Sequence, residues 1–289
     1  MKAPKFSYVR ADSVEQAIQL LALHGDEARI LAGGQSLMPT LNMRLSQPRL
    51  LIDINRLDVL AGISLDGNRV RIGALTRHAM VASSPIIVEH LPLIAEAMPH
   101  VAHVAVRNRG TFGGSIALAD PAAEMPACIL ALDAILILQS TAGRREVRAD
   151  DYFHGLYETA QRPNELLVEV LIPVQQSTSV SVFMELARRH GDFAIAGIAL
   201  QLVVERDIVA DARLVYFASE NKPTLAHGAR ATIVGRRIDE MSANAVASAL
   251  ENDLSPMTNP QASSKMRLHL QRVLTRRALA LAADRARRA

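Results

Sequence analysis

Apolar residues recur at helical spacing between Ser13 and His24, where Val14, Ala17, Ile18, Leu21 and Ala22 share one face. The pattern predicts a first helix, with Asp12 or Ser13 as N-cap and Gly25 at its end. Arg29 to Ala32 then reads as a buried strand, followed by a Gly33-Gly34 turn and a helix over Leu37 to Leu45. Pro48 breaks that pattern, and Leu50 to Ile54 reads as a second short strand. Together these make a small α/β lobe.

From Leu57 the texture changes to strands and hairpins. Asp66-Gly67-Asn68 predicts a turn between strands over 62–65 and 70–73. Helices are predicted over Thr76 to Ala82 and Ile86 to Ala97, with Pro85 and Pro92 near their starts, and over Pro126 to Leu132. Ala134 to Leu138 is a β-prone run turning at Gly143, and Leu166 to Ile172 is another strand, closed by Pro173. The polar run Gln175 to Ser179 is the best candidate junction, giving a first domain over 1–177 (lobes about 1–56 and 57–177) and a second over 178–289. Beyond it, Val182 to Leu186, Ile195 to Val204 and Ala212 to Ala218 have β character. Helical patterns follow over Ala226 to Val234, Ser242 to Glu251 and Ser263 to Arg287. In the last, Met266, Leu270, Val273, Leu274 and Leu281 are the expected inward face, with Arg267, Arg272, Arg276, Arg277, Arg285, Arg287 and Arg288 turned to solvent or a neighbouring subunit.

Composition changes this picture in few places. A chain of 289 residues with 49% hydrophobic content can fill two cores. No apolar run has transmembrane length, and Met1 to Lys5 lacks the apolar segment of a signal peptide, so a cytoplasmic protein without membrane insertion is expected. The net charge of +3 is mildly basic, but aromatics are 3%, tryptophan is absent and the arginines are scattered except near the C-terminus, which argues against nucleic acid. The single cysteine, Cys128, lies in an apolar run and reads as a buried, inert thiol. One cysteine cannot form a disulfide within the chain or hold an all-cysteine iron–sulfur cluster by itself. The histidines form no recognisable ligand pattern, the pair His100 and His103 included, and no metal site is assigned.

The candidate chemistry is concentrated in two glycine stretches. Ala32-Gly33-Gly34-Gln35-Ser36-Leu37 stands where a strand hands over to a helix. Such a junction aims free backbone N–H groups at one point, which suits a phosphate or pyrophosphate. It is neither the G-x-G-x-x-G fingerprint nor a Walker loop. Arg109-Gly110-Thr111-Phe112-Gly113-Gly114-Ser115 repeats the device, followed by Asp120-Pro121 and Glu124. Two such loops from distant parts of one chain can close on the two phosphates of a dinucleotide.

These two motifs, in this order, resemble the FAD-binding medium subunit of the molybdenum hydroxylases, the group of carbon monoxide dehydrogenase and xanthine dehydrogenase. The likeness continues through Leu51-Ile52-Asp53-Ile54, Ile72-Gly73-Ala74-Leu75-Thr76 and the segment from Glu185 to Ala194, and so spans essentially the whole chain. It implies an α+β protein: a vanillyl-alcohol-oxidase-like (PCMH-type) FAD-binding domain of two α/β lobes, then a C-terminal domain of a small antiparallel sheet with helices. It implies FAD contacts at Ala32, Gly33, Gly34, Gln35, Ser36 and Leu37, opposed by Thr111, Phe112, Gly113, Gly114 and Ser115. The family usually has Asn where Ser115 stands, yet a hydroxyl can still bond a phosphate or ribose oxygen. Asp is usual where Glu124 stands. Glu124 is read as a cofactor contact or as a first-turn helix residue favoured by the dipole, and Asp120 as a structural turn. Leu166 or Leu167, with Leu167 assigned, packs on the cofactor or is simple core. Phe193 stands where the family has an aromatic beside the flavin, without the hydroxyl some members carry, and Glu185 where some members have Lys.

The function so implied is electron transfer. This chain would take electrons from [2Fe–2S] clusters of a small subunit, serve a large subunit carrying the molybdenum cofactor, and pass the electrons to an external acceptor, within a dimer of heterotrimers. No catalytic acid or base is assigned to it. Two other readings are a self-contained flavin-dependent reductase of the same fold, resembling UDP-N-acetylenolpyruvoylglucosamine reductase, and a non-enzymatic binding or assembly module whose glycine loops are only turns.

Overall fold

The computed structural model describes residues 2–288, so the expected outer bounds at Met1 and Ala289 lie outside the described residues. Its strands form three main sheets. The first holds β1 (Ser7–Arg10), β2 (Ala28–Leu31) and β3 (Leu50–Asp53) in the parallel order β1-β3-β2. Helix α1 (Val14–His24) connects β1 to β2. Ser13 caps it by accepting the Gln16 N–H at 3.1 Å, and Val14, Ala17, Ile18 and Leu21 form its buried face. Helix α2 (Leu37–Asn42) follows β2 and stops short of the expected Leu45.

A five-stranded antiparallel sheet comes next, built from β4 (Ile63–Asp66), β5 (Arg69–Gly73), β6 (Ile135–Ser140), β7 (Gly143–Arg148) and, after the small hairpin β8 (Phe153–Gly155) and β9 (Glu158–Thr159), β10 (Leu166–Pro173), in the order β4-β5-β10-β6-β7. Between β5 and β6 run α3 (His78–Ser83), α4 (Pro85–His90), α5 (Pro92–Ala97), α6 (Val104–Arg107), α7 (Phe112–Leu118) and α8 (Glu124–Ala131). The expected single helix over 86–97 is two, because Leu91 precedes a proline and takes φ −134°, ψ 60°, outside the helical region. Helix α8 starts at Glu124, two residues before the expected Pro126. The register of β10 shifts between Leu167 and Glu169. Leu166 and Val168 accordingly join the α1 core, while Leu167, Val170 and Ile172 join the core under the helices.

The third sheet is antiparallel, β11-β12-β13-β14, from β11 (Ser179–Leu186), β12 (Ala196–Glu205), β13 (Ile208–Phe217) and β14 (Thr224–Leu225). One face carries Val182, Ile198, Leu200, Leu214 and Tyr216 against α9 (His227–Ile233), α10 (Glu240–Asp253) and α11 (Ser264–Ala286). From the other face Phe183, Ala199, Val215 and Phe217 enter the core of the second sheet's helices. Phe183 and Phe217 stack there with centroids 5.5 Å apart.

Helix α11 departs from its expected packing. Met266 is half exposed, whereas Arg267, Gln271, Leu274, Thr275, Ala278, Leu279 and Ala282 form the buried stripe. The reason is the unpaired polar groups at the strand ends beneath it. Arg267 Nη1 donates to the Ile195 carbonyl at 2.8 Å and also to that of Ala218, and Gln271 Nε2 donates to the Phe217 carbonyl at 3.0 Å. Tyr216 and Thr275 hydroxyls bond at 2.8 Å. Buried carbonyls demand donors, so polar residues take the inward positions. Arg285 pairs with Glu96 on α5, whose Oε2 also accepts the Phe183 N–H at 3.0 Å. Among the described residues no helix is long and apolar enough to cross a membrane.

Phe217 is fully buried where the two cores meet, and its ring fills the space over Gly197. Phe217→Ala is expected to cost about 3–5 kcal/mol, read as a lowered midpoint in urea unfolding. A shift under about 1 kcal/mol would mean that the aromatic stack contributes little.

Candidate functional site

Strands β2 and β3 run parallel and stop side by side, with Leu31 opposite Asp53. The segments that leave these two strands therefore meet at one edge, the carboxyl end of the sheet, where open α/β sheets leave room for ligands. A cleft of about 500 Å³ opens there, lined by Ala32, Gly33, Gly34 and Gln35 after β2, Asp53 and Asn55 at the end of β3, residues Met38, Pro39 and Asn42 of α2, and Arg109.

Gly33 is buried against the 109–110 backbone. A Cβ there would overlap the Arg109 carbonyl oxygen and stand 2.8 Å from the Gly110 Cα. Gly34 has φ +70°, the left-handed region that favours glycine. Among the described residues, the backbone N–H groups of Gly33, Gly34, Gln35 and Ser36 have no hydrogen-bond partner. The carbonyls of the same turn are engaged. Asn55 Nδ2 donates to Ala32 O at 2.7 Å, Gln35 Nε2 to Gly33 O at 3.1 Å and the Met38 N–H to Gly34 O at 3.2 Å. Four donors in a row are left over while the carbonyls of Ala32, Gly33 and Gly34 are taken, which is an arrangement that suits an anion.

The second glycine stretch is built differently. Thr111 caps α7, and the Gly114 N–H donates to its Oγ1 at 3.1 Å. Phe112 N–H donates to Thr76 O at 2.8 Å, Gly113 N–H to Ala74 O at 2.9 Å and Ser115 N–H to Thr111 O at 3.1 Å. Among the described residues the two loops are not alike in hydrogen bonding: the first leaves the amides from Gly33 to Ser36 without partners, whereas the second uses those from Phe112 to Ser115 and leaves that of Thr111. Gly114 and Ser115 stay partly exposed, and the Ser115 hydroxyl has no partner among the described residues.

The other expected residues fall at three further places. Ser36 precedes α2 and Leu37 is its first residue. Leu167 is buried with Phe112, Ile116 and Ala74, so its placement fits the core reading, as does that of the fully enclosed Phe112 side chain. Phe193 is 59% exposed on the turn between β11 and β12, and that turn leans at Gly191 on His103. Glu124 is buried in the first turn of α8. Burial pushes its carboxyl up to about 7, and repulsion from Glu185 and Asp120 adds to this while His100 opposes it. Glu185 Oε1 bonds His100 Nδ1 at 3.2 Å and its Oε2 is buried without a partner. That bond, together with the Glu185 charge and despite burial, raises the His100 value.

Four cleft-edge residues carry no local sequence signal for their roles. The Asp53 carboxylate accepts from the Tyr8 hydroxyl and from the Asn55 N–H at 2.9 Å. Burial pushes its pKa up, but these bonds and the Arg10 charge outweigh that and leave it below the ordinary value. Arg77 donates to Asn55 Oδ1 at 2.8 Å and to the Arg109 carbonyl. Burial and the neighbouring Arg109 charge hold its guanidinium below the usual value, against the pull of Asp53. The Arg109 guanidinium makes no hydrogen bond or ion pair among the described residues, and so stands at the cleft as a free cation. For Asn55 a topological signal exists: residues just past β3 must neighbour those just past a parallel β2.

Two family models match the chain: the FAD binding domain in molybdopterin dehydrogenase over residues 4–175, and the CO dehydrogenase flavoprotein C-terminal domain over 181–282. The 6-hydroxypseudooxynicotine dehydrogenase complex subunit alpha of Paenarthrobacter nicotinovorans is 41% identical over 288 residues, covering 99% of this chain and 97% of that protein. A solved carbon monoxide dehydrogenase from Hydrogenophaga pseudoflava, which lacks the Mo-pyranopterin moiety of the molybdenum cofactor, superposes with a TM-score of 0.96 at 36% identity over 99% of both chains. Quinoline 2-oxidoreductase from Pseudomonas putida 86 superposes with a TM-score of 0.94 at 38% identity, again over 99% of both chains.

The burial of Glu124 has a pH signature. Its folded value near 7 lies above the ordinary 4.5, so between those limits the folded chain binds a proton that the unfolded chain has lost. This contribution to stability is whole below pH 4.5 and is lost as the pH rises through 7. Glu124→Gln is expected to remove that loss and to be more stable than the parent at pH 8 by up to about 3 kcal/mol, with little difference at pH 4.5. Parallel melting-temperature profiles for the two proteins across this range would refute the assignment.

Proposed function

We propose, from the fact that this chain belongs to the family of FAD-binding subunits of the molybdopterin dehydrogenases, that it is the electron-transfer subunit of a molybdenum-dependent hydroxylase or dehydrogenase. In this reading it takes electrons from [2Fe–2S] clusters of a small subunit and passes them to an external acceptor. A large subunit carries the molybdenum cofactor and acts on the substrate. The assembly is a dimer of such three-subunit units in the cytoplasm. The division of the chain into an FAD-binding part (1–177, with lobes about 1–56 and 57–177) and a C-terminal part (178–289) belongs to the same proposal.

The observation that carries it is the row of unpartnered amides from Gly33 to Ser36 at the cleft that the free Arg109 cation also lines. Donors without acceptors beside an unpaired guanidinium fit a pyrophosphate and fit FAD as the cofactor of this family. FAD, when bound, supplies a carrier that accepts and releases electrons in pairs. The chain binds and orients it. Ala32 to Leu37 hold the pyrophosphate, with Arg109 offsetting its charge. Thr111 to Ser115 form the facing wall, and the Ser115 hydroxyl is free to bond a phosphate or ribose oxygen. Glu124 and Leu167 lie behind that wall, and Phe193 offers an exposed ring for the flavin. One cysteine, buried in α8, leaves the iron–sulfur clusters to other chains.

The visible spectrum tests this directly. The parent chain is expected to retain one FAD through desalting. Gly33→Val is expected to lose it while keeping the parent's far-ultraviolet circular dichroism, since the side chain would collide with the Arg109 carbonyl. A variant that keeps stoichiometric flavin would sink the assignment of this turn.

A further inference from the structure

Asn55 is the best-connected side chain at the cleft and has nothing left to give a ligand. Its Nδ2 donates to Ala32 O at 2.7 Å, to Asp53 Oδ1 at 2.7 Å and to Leu31 O at 3.2 Å. Its Oδ1 accepts from Arg77 Nη2 at 2.8 Å. With both amide hydrogens committed, it has no donor left for a phosphate and acts on one through the backbone that it holds. That backbone is the entrance to the Gly33 turn. The Ala32 carbonyl and the Gly33 N–H share one planar trans peptide and point in opposite directions. Gripping the carbonyl therefore fixes the aim of the amide. Arg77 extends the grip to the other side of the cleft, because its second nitrogen donates to the Arg109 carbonyl against which Gly33 is packed.

We infer that Asn55 and Arg77 are positioning residues for the dinucleotide site: their side-chain relay aims the amides of the Gly33 turn and locks that turn to the Arg109 segment. The relay runs from the Ala32 and Leu31 carbonyls through Asn55 and Arg77 to the Arg109 carbonyl. Asp53, itself held by Tyr8, anchors the middle of it. The inference rests on the FAD reading of this cleft. It adds that the pyrophosphate end of the site is assembled by side chains that do not themselves touch the ligand.

The test compares FAD and ADP, which share the pyrophosphate, in the full chain with whatever subunits accompany it. Asn55→Ala removes the donors to the Ala32 and Leu31 carbonyls and the acceptor for Arg77 without adding a charge. Arg77→Lys keeps the charge but cannot hold Asn55 and the Arg109 carbonyl at once. Each is expected to weaken FAD and ADP by a similar factor, on the order of tenfold to a hundredfold, with the melting temperature of the flavin-free protein little changed. The double variant should lose less than the product of the two factors, because both changes break one relay. Unchanged affinity for both ligands in Asn55→Ala, or parent-like affinity in Arg77→Lys, overturns the inference and leaves the FAD reading intact. A parent chain that takes up neither ligand overturns both.

Discussion

The missing side chain at Gly33 is the constraint on which the arrangement depends. Without it, the turn after β2 can lie directly on the backbone of Arg109 and Gly110, segments more than seventy residues apart in sequence. That contact joins the parallel sheet to the helices of the second sheet at the point where the cleft opens. Any Cβ would push the two apart and disturb the amide row and the Arg109 cation together. The rest of the first lobe serves this meeting: parallel strands that end level, a helix turned away by Gly34, and an asparagine that binds the loop's carbonyls.

Around that point the chain divides its hydrogen-bonding capacity unequally. The first glycine turn keeps donors in reserve, while the second commits every amide from Phe112 to Ser115 to local structure. Two stretches that look alike in sequence thus differ in hydrogen bonding: one leaves its amides without partners and the other uses them within the protein.

The legible part of the sequence is the part governed by local periodicity. Helix α1, the β4–β5 hairpin and the long strands of the third sheet follow from spacing and turn residues, and the Ala32–Gln35 turn announces itself by its glycines. The illegible part is set by partners distant in sequence. Nothing local marks Arg267 and Gln271 for burial, since their acceptors lie on β13 and in the turn before β12. The break at Leu91 is signalled by Pro92, which reads locally as a helix start but also imposes a stop on the residue before it. Asn55 and Arg77 become visible only once the strand order puts them beside the Gly33 turn. The register shift in β10 decides that Leu167 belongs to the helix core, and an alternating pattern does not reveal such a shift.

The third sheet is covered on both faces, by its own helices on one and by the core of the preceding sheet on the other. During synthesis this has a consequence in time. The first part of the chain leaves the ribosome with the apolar surface that will receive Phe183, Ala199, Val215 and Phe217 still open. It must wait for roughly forty more residues, a delay of some seconds at ordinary elongation rates, before β13 arrives to close it. For that interval the nascent protein displays an apolar face whose natural cover is still being made.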